Sequence, residues 1–375
     1  MNYKRSVFLF LSLNVSILFG IVSFAYIIDP FYLFHGSIFH KKIFLGHELF
    51  MDLGEIDTFL KKTNDYDTIL VGTSLTENFY ANEITEALNS KGTLKLCLSG
   101  GYPVELQAIT ERALFSKKIK HIVWGFDLFT FCEPANTPHQ QRIFPYKLYQ
   151  NDYYKYSLLF DWAFIRQSFK RLVLFFQRYN SKFKFYEDLN KLYYYWDWPE
   201  IQNMHKDFIS PRKLGEMREN FPNYKDFNLS YTGNFSAVDV HLLPLVKDNP
   251  GVQFYFLITP ISWTCFNDIS KSQKYFSLQR YLVLKLGKYK NVHIYGFHTC
   301  KFIHNLANYY NESHYQPDVN RYVLYSIKHD LHRLTHENID LYEQNMLGNL
   351  KNFEVKESYS HMDSLEELIR QEAAR

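Results

Sequence analysis

A serine hydroxyl attacks a carbonyl only when a base takes its proton, and that base must itself be held in place. Two segments of the chain supply such a pair in type. Ser74 stands in Val71-Gly72-Thr73-Ser74-Leu75-Thr76-Glu77-Asn78, between a short apolar run and a helical pattern. His314 stands in Asn308-Tyr309-Tyr310-Asn311-Glu312-Ser313-His314-Tyr315-Gln316-Pro317, a loop-like stretch with an acid near the histidine and a proline able to open the next helix. Alone, Ser74 reads as a helix N-cap, a common serine role. The chain has 15 histidines, so one of them near an acid carries little weight by itself. Together, at their places in an α/β rhythm, the two segments predict attack on an ester or thioester carbonyl.

Both residues depend on the elements that carry them. Residues 68–71, 94–98, 121–125, 252–258 and 292–295 are short apolar runs that read as strands, separated by helical patterns. Leu75, Phe79, Ile84 and Leu88 are spaced for one face of a helix directly after Ser74, whose N-terminus would favour negative charge nearby. Pro103 is placed to open the next helix. This alternation predicts a doubly wound parallel sheet, in which ligands collect beyond the carboxyl ends of the strands. Ser74, the Ser99-Gly100-Gly101 turn and Asp127 all follow such ends.

The N-terminus sets the location. After Lys4 and Arg5 no charge occurs until Asp29, and ~20 apolar residues suffice to cross a bilayer. Basic residues in front and none behind put the N-terminus inside and the remainder outside. The rival reading is a signal peptide cleaved near Ser23-Phe24-Ala25, but the apolar run continues through Ile28. Residues 1–29 are thus the transmembrane anchor, 30–66 a connector, 67–350 the α/β domain, and 351–375 a charged, solvated tail. Within the domain, residues 135–240 break the rhythm and read as an aromatic-rich helical cap. There Tyr195, Trp196 and Trp198 are candidates for stacking on sugar rings, with lid core or a membrane-facing belt as alternatives.

Other chemistries find little support. A formal charge of +3 without a long basic run argues against nucleic acid. The 15 glycines form no GxGxxG or GxxxxGK motif, so no nucleotide cofactor is expected. Cys97, Cys132, Cys265 and Cys300 lack zinc-like spacing, and read as free thiols or as disulfides of undetermined pairing. His329, His332 and His336 fall in a helical pattern, the last two at i, i+4, yet no glutamate lies between them. His298, Cys300 and His304 make another loose set. No metal is expected at either.

The order of these segments resembles the SGNH (GDSL-like) hydrolases, and among them the membrane-anchored cell-envelope acyltransferases, similar to alginate-type O-acetyltransferases and lipoteichoic acid D-alanyl-transfer proteins. The resemblance spans roughly residues 67–345. It implies a flavodoxin-like three-layer α/β/α domain with a five-stranded parallel sheet. Gly72-Thr73-Ser74 matches the first block, implying Ser74 as nucleophile and oxyanion donor. Leu98-Ser99-Gly100-Gly101 resembles the second, whose glycine N–H holds the oxyanion; Gly100 is the choice and Gly101 the alternative. Trp124-Gly125-Phe126-Asp127 resembles the third, but Asp127 stands where the family has a donating asparagine. An ionised carboxylate only accepts, so Asp127 is expected to turn away, to be protonated, or to orient another donor. In the last block, which implies His314 as base, Asn311 stands where an aspartate is usual, and Glu312 is the neighbouring acid. The implied function is acyl transfer to an envelope polysaccharide outside a bacterial inner membrane, with a multispanning membrane acyltransferase as partner. An esterase or deacetylase, and an inactive scaffold, are the alternatives.

Overall fold

The computed structural model describes residues 3–30, 34, 66–115, 117–138, 146, 153–179, 216–217, 219–354 and 361–373. The chain forms two compact units, residues 1–63 with 145–192 and residues 64–144 with 193–375. In chain order the regular elements begin with α1 (Tyr3–Ile28), β1 (Thr68–Gly72), α2 (Ala81–Leu88), β2 (Thr93–Cys97), α3 (Pro103–Leu114), β3 (His121–Phe126) and α4 (Leu128–Phe131). Then come α5 (Tyr154–Leu158), α6 (Trp162–Tyr179), α7 (Leu243–Asp248), β4 (Gln253–Ile258) and α8 (Ile269–Leu286). β5 (Val292–Gly296), α9 (Pro317–Lys328), β6 (Arg333–Leu334), α10 (Ile339–Lys351) and α11 (Leu365–Ala373) complete the strands and α-helices of the described residues.

All five expected strands form and pair in parallel, in the order β2-β1-β3-β4-β5. Every residue of β1 and β2 is buried, although successive side chains point to opposite faces. Both faces are therefore covered, which is what parallel strands require. The sheet is mixed rather than wholly parallel, because β6 adds a sixth, antiparallel strand beside β5. Two residues are too few to show a period, so β6 left no trace in the pattern. The helix expected across His329, His332 and His336 is also corrected. It ends at Lys328, and Asp330 and His332 take left-handed φ values of 52° and 59° that no α-helix continues through.

β1 lies between β2 and β3, so the winding reverses there and opens a crevice beyond the strand ends. The Thr76 side chain closes the floor of that crevice. Its hydroxyl donates to the Thr73 carbonyl at 2.8 Å and lies 3.4 Å from Cys97 Sγ. A Cβ built on Gly72 or Gly125 would run into the Thr76 side chain, so both strands must present glycine under it. Gly125→Ala is therefore expected to push Thr76 and the Ser74 turn upward. We expect a loss of ~1–3 kcal/mol in stability, read by chemical unfolding. An unchanged unfolding midpoint would reject the contact.

Two further expectations are corrected, those for the start of α2 and for the tail. Helix α2 starts at Ala81, so residues 74–79 form a run of turns closed by Glu77 N–H to Ser74 O and Phe79 N–H to Thr76 O. Ser74 therefore does not sit at a helix N-terminus, and the helix dipole gives it no direct help. The C-terminal tail is docked instead of solvated, with Leu368 of α11 fully buried and α11 packed on α9. All four cysteines are free thiols. The aromatic positions Tyr195, Trp196 and Trp198, and most of the connector, lie outside the described residues.

His298 is wholly buried beside Trp263 and Phe266, and neither ring nitrogen has a hydrogen-bond partner among the described residues. Burial pushes its pKa down to about 3. The folded chain keeps this imidazole neutral where the unfolded chain, with an ordinary value near 6.5, takes up a proton. Its contribution to stability is thus complete above pH 6.5 and lost as pH falls from there towards 3. His298→Met removes the unsatisfied nitrogens from an apolar site and should raise stability by about 1 kcal/mol at neutral pH. The gain should widen on acidification. Unfolding midpoints at pH 7 and pH 5 test this, and a variant less stable at both would refute it.

Candidate active site

The Ser74 and His314 segments meet beyond the ends of the sheet. Ser74 Oγ lies 3.0 Å from His314 Nε2, and His314 Nδ1 lies 2.9 Å from Asn311 Oδ1. Asn311 Oδ1 also accepts the backbone N–H groups of Ser313 at 3.1 Å and His314 at 2.9 Å. Two backbone donors identify that atom as oxygen and not the amide nitrogen. The Nδ1 facing it must therefore carry the ring proton, which leaves the Nε2 lone pair directed at Ser74. The tautomer is the one a general base needs.

The acid's place in this relay is held by an amide. Glu312 contributes its backbone instead: its carbonyl accepts Ser262 N–H at 3.0 Å, Ser262 Oγ at 2.8 Å and Cys265 Sγ at 3.0 Å. Those bonds anchor the His314 loop to the segment after β4, while Nδ1 faces Asn311. The loop is closed on itself as well, by Tyr310 N–H to His314 O at 2.8 Å and Gln316 N–H to Asn308 O at 2.9 Å. Burial lowers the His314 pKa to about 4. The ring is therefore neutral near pH 7 and able to accept a proton. The amide facing Nδ1 would stabilise an imidazolium less than the aspartate of a triad does.

Asp127 follows β3 and caps α4, accepting Phe129 N–H at 2.9 Å on one oxygen. Its other oxygen accepts the Thr73 hydroxyl at 3.0 Å. Burial raises its pKa, while these hydrogen bonds oppose that rise. Of the three roles considered for it, the geometry matches the last. Asp127 orients Thr73, the residue before Ser74.

Backbone N–H groups are then the remaining candidates to hold an oxyanion. Gly101 N–H is bonded to Leu98 O at 2.7 Å and closes the turn after β2. Gly100 takes a left-handed φ of 63°, and its N–H, like that of Ser74, makes no hydrogen bond among the described residues. Only glycine adopts that backbone readily. The geometry thus separates Gly100 from Gly101 as the candidate donor.

Several residues that join the two segments escaped the sequence reading. Tyr315 donates its hydroxyl to Leu75 O at 3.0 Å, and Asn78 Nδ2 reaches Tyr315 O at 3.4 Å. Arg321 of α9 bonds Glu83 of α2 at 2.8 Å. From the tail, the buried Asp363 carboxylate accepts Asn308 Nδ2 at 2.7 Å, and Gln316 Nε2 donates to Asp363 O at 2.6 Å. The adjacency of Tyr315 to His314 was the one signal available. Asp363 had none, since it lies 49 positions further along the chain.

The metal-like sets do not assemble as spaced. His304 accepts Trp263 Nε1 at 3.3 Å, and His298 is isolated in apolar surroundings. Cys300 instead approaches His332, with Glu372 near both. Its Sγ lies 3.8 Å from each ring nitrogen, well beyond a metal-ligand separation shared with both. His332 Nε2 is 2.7 Å from the Tyr322 hydroxyl. That is a packing arrangement more than a coordination geometry.

No family model, curated protein or solved structure matches the chain.

Proposed function

We propose that this chain is a membrane-anchored serine acyltransferase of the SGNH kind, acting outside the cytoplasm on an envelope or capsular polysaccharide. The observation that carries the reading is the unbroken relay Ser74 Oγ, His314 Nε2 and Nδ1, Asn311 Oδ1, with links of 3.0 and 2.9 Å at the switch point of the sheet. Ser74 Oγ attacks the acyl carbonyl of an ester or thioester donor while His314 Nε2 takes its proton. Backbone N–H groups of Ser74 and Gly100 receive the oxyanion. A lost donor of this type costs ~3–4 kcal/mol in the transition state, so a site without a side-chain donor relies fully on these two. The tetrahedral intermediate collapses, His314 protonates the departing donor group, and an acyl-serine remains. His314 then takes the proton of a sugar hydroxyl, which attacks the acyl carbonyl and releases Ser74.

Helix α1 is long and apolar enough to span a membrane, with Lys4 and Arg5 at its start. In this reading it crosses the inner membrane with the α/β domain outside, where a multispanning partner would deliver the acyl group. A fluorophosphonate probe tests the chemistry. Labelling should occur in the wild type and Ser99→Ala and vanish in Ser74→Ala. Purified enzyme with an aryl acetate and an oligosaccharide acceptor then distinguishes the routes. Acetyl-sugar formed only with acceptor supports transfer. Hydrolysis at one rate with or without acceptor marks an esterase, and no labelling at all marks a scaffold.

A further inference from the structure

The compact unit that holds α1 also contains α5 and α6, and its small core says where α6 lies along α1. Ala25, Leu159 and Phe164 are buried together, with Val22, Phe34, Leu158 and Ile165 packed against them. Phe24 of α1 and Phe169 of α6 pack tilted against each other with ring centroids 4.6 Å apart. The contact therefore falls on the last turns of α1. Counting ~20 residues of ~1.5 Å rise from the charged start at Lys4 and Arg5 brings the far edge of the hydrocarbon to about the same turns. α6 meets α1 at membrane-boundary depth.

The outward surface of α6 is unusual for a helix in water. Trp162, Phe169, Val173 and Phe176 are all exposed. Their spacings of seven, four and three residues put them within one arc of about 60° on the helix. Going round the axis, the buried Phe164 and Ser168 come first, then this apolar stripe, then the exposed Arg166 and Lys170. The stripe thus adjoins the α1 contact on one side and a basic edge on the other. An apolar band beside a basic edge is what an interfacial helix presents to acyl chains and anionic headgroups. Exposed Tyr153, Tyr156 and Phe160, on and flanking α5, add ring side chains of the kind that gather at that level.

We infer that α6 is a membrane-surface helix, embedding the Trp162, Phe169, Val173 and Phe176 stripe in the extracytoplasmic leaflet beside α1. The occupant of this apolar face is lipid. Arg166 and Lys170 stay at headgroup height with their alkyl stems along the helix. The inference rests on α1 crossing the bilayer and is independent of the chemistry at Ser74.

The test uses the full chain in vesicles of phosphatidylethanolamine and phosphatidylglycerol. Cys132, the native cysteine that is not buried, is changed to serine. Single cysteines are then introduced as Val173→Cys, Phe176→Cys or Ala163→Cys, labelled with an environment-sensitive fluorophore, and exposed to lipids carrying a shallow nitroxide. The variants are first matched to the parent by unfolding midpoint. We expect at least twofold stronger quenching at 173 and 176 than at 163, with blue-shifted emission at the first two. Equal, water-like emission at all three sites overturns the inference. So does blue-shifted emission at 173 and 176 that the lipid nitroxide does not quench, since protein and not lipid would then cover the stripe. Alkaline carbonate extraction runs alongside. A chain released by carbonate overturns the α1 anchor and this inference together, whereas a chain retained with water-like emission overturns this inference alone.

Discussion

Ser74→Ala should lower turnover of an acyl ester by roughly 10⁴- to 10⁶-fold, leaving a residue of activity set by backbone donors and substrate binding. Without the hydroxyl no acyl-serine can form, and water must attack unaided. His314→Ala should cost nearly as much, because Ser74 Oγ then has no acceptor at 3.0 Å for its proton. The double variant should be little worse than either single one. Groups that act as one unit lose their whole benefit when any member is removed, so their effects do not add. Initial rates on an aryl acetate for the three variants test this. A loss below tenfold in Ser74→Ala, or strictly multiplicative losses in the pair, would remove these residues from the chemistry. Fold retention is checked by unfolding midpoint.

Asn311→Asp should move the acid limb of the pH–rate profile upward. In the wild type burial holds the imidazole near 4 with an amide facing Nδ1, so kcat/KM should stay level from neutrality down to about pH 5 and fall only towards pH 4. A carboxylate in place of the amide, 2.9 Å from Nδ1, favours the imidazolium and raises that pKa by ~1–3 units. Protonation then disables Nε2 at a higher pH, and activity at pH 5 falls relative to the variant's own maximum. Near neutrality the same change makes the ring a stronger base, so the maximal rate should rise. Asn311→Leu should instead lose about 10²- to 10⁴-fold, because neither the tautomer nor the ring direction is held. Profiles of kcat/KM against pH for the three proteins decide it. An acid limb in Asn311→Asp that coincides with the wild type would show that this position does not touch the base.

The contrast between Asn311 and Glu312 shows where reading the chain stops. Both stand within three residues of His314, and charge alone favours the glutamate. What selects the asparagine is the way the loop closes: its Oδ1 collects two backbone N–H groups and Nδ1, while the Glu312 carbonyl is committed to Ser262 and Cys265. Asp127 is a similar case. Its residue type excluded a donor role when ionised, but the choice among the remaining roles waited on the 3.0 Å bond from Thr73.

Local composition did determine much of the architecture. β1 to β5 are short buried runs whose apolar residues need no distant information to be recognised, and α1 announces itself by length and lack of charge. Ser74 and His314 were legible because strand ends and a proline-bounded loop leave marks within a few neighbouring positions. β6, the late start of α2 at Ala81, the docking of the tail through Asp363, and the settling of α6 on the last turns of α1 were decided by tertiary structure. Each depends on partners far along the chain or on a pairing of two residues, and such contacts impose no period on the sequence that could reveal them. Periodicity records which face of an element is buried; it carries no record of what that face is buried against.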